Sequence, residues 1–283
     1  MQLISDNLQL WSQNINFKFK NMNIMKQKLL TLLCFFTSVC CYAQTSEFIY
    51  IENPLMPHFA YIMQDGLFYQ INEEPSDNNT FGKVLMTSYS MMVSFGADVE
   101  KPTGKVVIPT AIQNGDGDFA DKYRVVYISV NFDDCDEITS VIFPENLRGV
   151  MTHDFSFKNT KKLKNIKFPN TIPNMYLVHS AFQGSGIEEL TLPNGIKSIY
   201  YDTFENSKIN KLVLPSSINE INSTAFRNCA NLSHVYLHAQ TPPTIDGREV
   251  LFTDKVTIHV PANSLKDYKN DTSWNNYNIV GDL

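Results

Sequence analysis

The residues of this chain best suited to metal or nucleophilic chemistry are six histidines and five cysteines. His234 and His238 stand four apart, a spacing that on a helix turns two imidazoles toward one zinc ion. Here they bracket Val235-Tyr236-Leu237, an alternation that reads as a strand. On a strand, at about 3.3 Å per residue, they share a face about 13 Å apart, too far for one metal. Asn114-Gly115-Asp116-Gly117-Asp118 is similar to the start of a calcium loop, yet the twelfth position, where a Glu is required, is Val125. It reads instead as a turn leading into the apolar stretch 123–128. The acid pairs Asp133-Asp134 and Glu188-Glu189 read as solvated turns. A Gly-x-Ser-x-Gly elbow, a phosphate-cradling glycine loop and a Cys-x-x-Cys pair are all missing from the sequence. The expectation is a protein that is not an enzyme, with no catalytic, cofactor-binding or metal-ligating residue and no cofactor.

Composition sets the outer bounds. The chain has 283 residues, 43% apolar and 18% charged, which is globular rather than disordered. Its formal net charge of −6 argues against a partner whose phosphates must be neutralised, so no nucleic acid is expected. Met25-Lys26-Gln27-Lys28 is basic, Leu29 to Val39 is apolar, and Ala43 offers a small residue at a cut. That order reads as a secretory signal over 25–43, with 1–24 an over-called start before Met25 or Met22. The apolar run is shorter than the roughly 20 residues a membrane-spanning helix needs, so the mature chain should carry no transmembrane segment. A lipoprotein anchor at Cys40 or Cys41 fits less well, because Val39 stands where a small residue is wanted. Cleavage after Ala43 leaves 23 − 4 = 19 basic and 29 − 1 = 28 acidic residues, a net −9. The mature chain is then acidic and exported, to the periplasm, the cell surface or the medium.

The elements that must position any site come from an internal repeat. A short apolar strand closed by Pro recurs as Val106-Val107-Ile108-Pro109, Val141-Ile142-Phe143-Pro144, Ile166-Lys167-Phe168-Pro169, Leu190-Thr191-Leu192-Pro193 and Leu212-Val213-Leu214-Pro215. Val235-Tyr236-Leu237-His238 is a last copy with His in place of Pro. An aliphatic residue precedes each strand (Ile138, Leu163, Ile187, Ile209, Leu232), and others follow at three and six residues after the Pro, as in Ile196 and Ile199. A Phe closes each unit, read as Phe132, Phe155, Phe182, Phe204 and Phe226. Alternate strand residues face inward, and Pro, lacking an N–H, ends the strand. A unit of about 23 residues cannot bury its apolar face alone, so the copies must stack.

The phrase Leu214-Pro215-Ser-Ser-Ile218-Asn-Glu-Ile221-Asn-Ser-Thr-Ala225-Phe226-Arg-Asn-Cys229-Ala-Asn-Leu232 resembles the leucine-rich repeat of the BspA type. The resemblance covers about 105–283. Val256-Thr-Ile-His-Val260-Pro261 onward to Trp274 is similar to the usual end of Bacteroidetes members, and Asp65-Gly66-Leu67-Phe68-Tyr69-Gln70-Ile71 to their entry strand. It implies a leucine-rich-repeat solenoid: right-handed, with short parallel strands in repeats of about 22–25 residues, an irregular, turn-rich convex side and a β-rich N-terminal cap. It also implies a secreted or surface protein linked to adhesion. The domain expectation is a cap over 44–104, repeats over 105–238 and a C-terminal cap over 239–283.

Stacking also decides the two cysteines of the mature chain. Cys135 and Cys229 sit in the first and fifth units, about 19 Å apart at roughly 4.8 Å per strand, whereas a disulfide needs Cα atoms within about 7 Å. They are expected as free, buried thiols. Binding falls to the out-facing strand residues Asn165, Lys167, Glu189, Thr191, Lys211, Val213, His234, Tyr236 and His238, which line the concave face. The expected function is protein–protein or cell-surface adhesive binding by a monomer. The alternatives are a glycan-binding or glycan-processing component, hinted at by Tyr200-Tyr201 and Tyr236, and a purely structural surface protein.

Overall fold

A computed structural model describes residues 49–52, 60–64, 67–73, 82–87, 101–114, 121–128, 130–150, 155–173, 175, 177, 179–249 and 251–283. The export reading of 1–43 and most of the calcium-like loop lie outside them. Within this set the chain is a parallel β-solenoid joined to a mixed sheet built mainly from the N-terminal strands.

Strands β1 (Ile49–Glu52), β2 (Ala60–Gln64), β3 (Leu67–Glu73) and β4 (Gly82–Thr87) pair antiparallel in chain order. β4 then pairs in parallel with β7 (Asp121–Ile128), which also carries β6 (Ala111–Asn114) antiparallel and β9 (Gly149–Val150) in parallel. This sheet runs directly into the repeats, so their first turn is met by hydrogen-bonded strands.

The repeat strands form two parallel sheets. One is β5 (Gly104–Val107), β8 (Ile138–Ile142) and β10 (Asn165–Lys167); the other is β11 (Glu189–Thr191), β13 (Lys211–Leu214), β15 (His234–Leu237), β17 (Thr257–Val260) and β18 (Asn278–Gly281). Val141, Leu190, Leu212, Val235 and Ile258 point inward and are buried, while their strand neighbours point out. Each of the five repeat prolines stands at or within two residues of a strand end, where its missing N–H costs no ladder bond. The return side is less irregular than expected. A second parallel ladder joins β12 (Ser198–Ile199), β14 (Glu220–Asn222) and β16 (Thr244–Asp246), with Ile199 beside Ile221 and Ile221 beside Ile245.

The closing aromatic residue of the second unit is Phe157, not Phe155. Phe132, Phe157, Phe182, Phe204 and Phe226 make one continuous column, with ring centroids 5.2–5.5 Å apart. The reason lies two residues downstream. Asp134, Asn159, Gly184, Asn206 and Asn228 all take positive φ, between 56° and 66°, a turn geometry that Asn, Asp and Gly tolerate best. Two residues after Phe155 stands Phe157, which is unsuited to that turn. Phe155 is instead fully buried between Phe143 and Phe168, 5.7 Å from each.

The far end is closed by a short 3₁₀ turn, the helix α1 (Leu265–Asn270) and β18. Fully buried Trp274 donates its indole N–H to the Pro243 carbonyl at 2.7 Å, and Tyr268 donates its hydroxyl to the Ala239 carbonyl at 2.9 Å.

Candidate functional site

Parallel register places the out-facing residues in rows across the strands. Glu189, Lys211, His234, Thr257 and Asn278 form one row; Thr191, Val213, Tyr236, His259 and Val280 form the next. On the first sheet Asn165 lies beside Ser140 and Lys167 beside Ile142. Asn165, Lys167, Glu189, Thr191, His234 and His238 are exposed, and Lys211, Val213 and Tyr236 are half-buried. Lys211 and Glu189 pair at 3.7 Å, Lys167 and Glu145 at 3.8 Å; such exposed pairs contribute little stability and leave the face polar.

Between β10 and β11 the face changes character. These strands belong to different sheets, although hydrogen bonds join their turns on both flanks: Gly186 N–H to the Thr160 carbonyl at 3.0 Å, and Asn194 N–H to the Asn170 carbonyl at 3.0 Å. The lapse coincides with a change in repeat length, since Phe157 and Phe182 are 25 residues apart and Phe182 and Phe204 only 22. Length alone does not dictate it, because β8 and β10 stay paired although Ser140 and Asn165 are 25 residues apart. A cleft of about 620 Å³ opens along this lapse. Its floor includes Ile166 and Phe168, both half-buried, whereas the same positions elsewhere (Val141 and Phe143, Leu190 and Leu192, Leu212 and Leu214) are buried. Lys167, Thr191, Val213 and His238 line it as well. Four of the nine residues expected from sequence therefore meet at one apolar-floored cleft.

The other polar concentration lies at the C-terminal end of the face. His234 Nδ1 is 3.1 Å from His259 Nε2, and His259 Nδ1 is 2.9 Å from one Asp282 carboxylate oxygen and 3.0 Å from the other. Tyr236 stacks flat on His259 at 4.2 Å, and the Lys211 ammonium lies 5.5 Å from the Tyr236 ring centroid. His234 and His238, four apart, point to different places: His238 lines the cleft and His234 meets His259. Sequence reasoning missed His259 and Asp282 because they fall in the segment read as a cap. The pattern Val256-Thr-Ile-His-Val260-Pro261 repeats the strand-and-proline phrase, and would have placed His259 beside Tyr236.

Neither described cysteine is poised as a nucleophile. Cys135 is buried and Cys229 half-buried, and both are free thiols. Burial pushes each thiol up to about 11, so neither supplies thiolate at neutral pH. They occupy one column of turn positions with Thr160, Ser185 and Ser207, each three residues after a closing Phe. Among the described residues, no three His, Cys, Asp or Glu side chains group to hold a metal ion, and no helix is long and apolar enough to cross a membrane.

A family model for the BspA type leucine rich repeat region matches residues 128–245 in six copies. Among solved structures, the chain is similar to a leucine-rich repeat protein of T. pallidum, with 20% identity over 75% of this chain and 79% of that one, at a TM-score of 0.42. It is similar to a leucine-rich repeat protein of Bacteroides ovatus, with 18% identity over 67% of this chain and 54% of that one, at a TM-score of 0.39. A third likeness is the pneumococcal vaccine antigen PcpA, with 13% identity over 79% of this chain and 98% of that one, at a TM-score of 0.28. No curated protein sequence matches the chain.

Proposed function

Residues 128–245 being a BspA-type leucine-rich repeat region, we propose that the chain is an exported, non-enzymatic repeat protein that binds a protein or cell-surface partner through its out-facing strand face. The observation that carries this reading is the cleft between β10 and β11. It exposes Ile166 and Phe168 at positions that every neighbouring repeat buries, inside an otherwise polar face. An apolar floor with a polar rim is the anatomy of a binding hot spot, where one anchoring side chain is desolvated and the surrounding contacts exclude water. The rows on either side add many weak polar contacts on a rigid sheet. In this reading the strands of 44–104 and the segment 239–283 act as caps that keep the ends of the solenoid from pairing with other chains.

The test has two stages. Capture from host-matrix and neighbouring-cell extracts identifies the partner, and its affinity is then measured for the wild type and for Lys167→Glu, Thr191→Arg and Lys161→Glu. The first two change the rim of the cleft and are expected to weaken binding at least tenfold. Lys161 is exposed on a turn away from the cleft and its variant should bind as the wild type does. Unchanged binding in both rim variants would remove the cleft from the interface.

Glycan binding is the second reading, favoured by one feature. His179 stacks on exposed Tyr201 at 3.8 Å with Tyr200 edge-on, a surface suited to a sugar ring. Loss of binding to a glycan array on Tyr201→Ala, with the cleft variants unaffected, would select it.

A further inference from the structure

The pair His234 and His259 has no part in the cleft, and it brings two ring nitrogens within 3.1 Å of each other. His259 Nδ1 faces both oxygens of Asp282, which only an N–H can satisfy, so this nitrogen is the donor. The neutral ring then presents Nε2 as a bare lone pair, and that lone pair points at His234 Nδ1, 3.1 Å away. Either one shared proton occupies this gap or an ion replaces it. Two nitrogens bound at about 2.0–2.1 Å to one tetrahedral ion lie about 3.3 Å apart, within a few tenths of the separation seen.

We propose that His234 and His259 form a two-histidine site for a divalent transition-metal ion of the zinc class, oriented by Asp282, on the out-facing strand face. The carboxylate–imidazole–metal arrangement fixes the tautomer and raises the basicity of the ligating nitrogen. His259 is pre-set: Tyr236 stacks flat on its ring and Asp282 holds its far nitrogen. A tetrahedral ion lies off the line between the two nitrogens, so each lone pair must turn by about 35°: exposed His234 is free to swing, and His259 tilts within its contacts to Tyr236 and Asp282. Parallel register makes the site possible, because Thr257 is the direct neighbour of His234, and His259, two residues on, is its diagonal one. Water completes the coordination. The charged groups around the site act in opposite senses: Asp282 favours a bound cation, while Lys211, over the Tyr236 ring, opposes it. The site is separate from the cleft, and it stands or falls without the partner-binding reading.

Binding of zinc is measured on the purified chain by calorimetry, and of cobalt by its visible absorption, with magnesium and calcium as controls. One equivalent of zinc is expected, with a proton released as the ion displaces it, seen as a dependence of the heat on buffer ionisation. His234→Ala and His259→Ala should each weaken binding at least tenfold. Asp282→Asn keeps both ligands and should weaken it about 10–100-fold, the usual effect of removing a carboxylate that orients a ligating imidazole. His238→Ala, on the cleft, should bind as the wild type does. His234, His238 and Asp282 are exposed and His259 is half-buried on the same face, and circular dichroism checks that every variant is folded. Absence of zinc binding by the wild type, or wild-type affinity in His234→Ala, would overturn the site.

Discussion

Gly186→Ala probes a close approach between two repeat turns, beside the lapse between β10 and β11. Gly186 leads into β11, and a Cβ built on it would lie 2.0 Å from the Lys161 carbonyl oxygen, 2.7 Å from the Lys161 carbonyl carbon and 3.2 Å from the Leu163 carbonyl oxygen. These are backbone atoms of the turn leading into β10, so no side chain can swing aside. Ordinary contact needs about 3.5 Å, and the turns must separate by about 1.5 Å, a third of the strand spacing. Gly186 N–H also donates to the Thr160 carbonyl at 3.0 Å, and separation stretches that bond. Overpacking costs about 1–3 kcal/mol, and backbone meeting backbone belongs at the upper end. The lower entropy of the unfolded alanine chain returns about 0.4–1 kcal/mol. The expected net loss is about 1–2.5 kcal/mol, read as a lower urea midpoint at constant slope. Gly149→Ala is the internal control, because its Cβ would lie 3.1 Å from the nearest atom, the Pro173 carbonyl oxygen, and should cost under about 1 kcal/mol. If Gly186→Ala is as stable as the wild type, or Gly149→Ala is the worse of the two, the close-packed-turn reasoning fails.

Four further expectations follow from other parts of the structure. Phe204→Ala should cost about 3–5 kcal/mol by chemical denaturation, since the ring is fully buried and stacked on Phe182 and Phe226 at 5.2 and 5.4 Å; a loss under about 1.5 kcal/mol would show the column to be loosely packed. Buried Cys135 should react with a thiol reagent only after denaturation and half-buried Cys229 more slowly in the folded chain than in the denatured one; rapid labelling of both in the folded chain at pH 8 would contradict this. Each thiol has a folded pKa raised from 9.0 to about 11, so the unfolded chain loses these protons first; stability should hold below pH 9 and fall as pH rises from about 9 to about 11, and a flat urea midpoint across that range would count against it. Trp274→Phe should lower the urea midpoint by the equivalent of about 1–3 kcal/mol, because it leaves the buried Pro243 carbonyl without its 2.7 Å donor; an unchanged midpoint would mean another donor takes its place.

The sequence by itself determined the solenoid. Prolines 109, 144, 169, 193 and 215 stop strands because Pro has no N–H to give a ladder, and the alternate aliphatics before them face inward because no single unit can bury them. That same stacking put Cys135 and Cys229 too far apart to pair, and both are free. The closing Phe of the second unit was decided by a turn instead: Asn159 takes the positive φ, so Phe157 enters the column and Phe155 packs beside it. The sequence does carry that information, in the Asn, Asp or Gly two residues after every true closing Phe. Only the tertiary structure decided where the face opens into a cleft. The lapse between β10 and β11 depends on how turns of different length meet, and no row of residue types reveals that Ile166 and Phe168 are left half-open there. The meeting of His234, His259 and Asp282 likewise depends on residues 23 to 25 apart being brought to hydrogen-bond distance by parallel register, a contact that exists only between stacked turns.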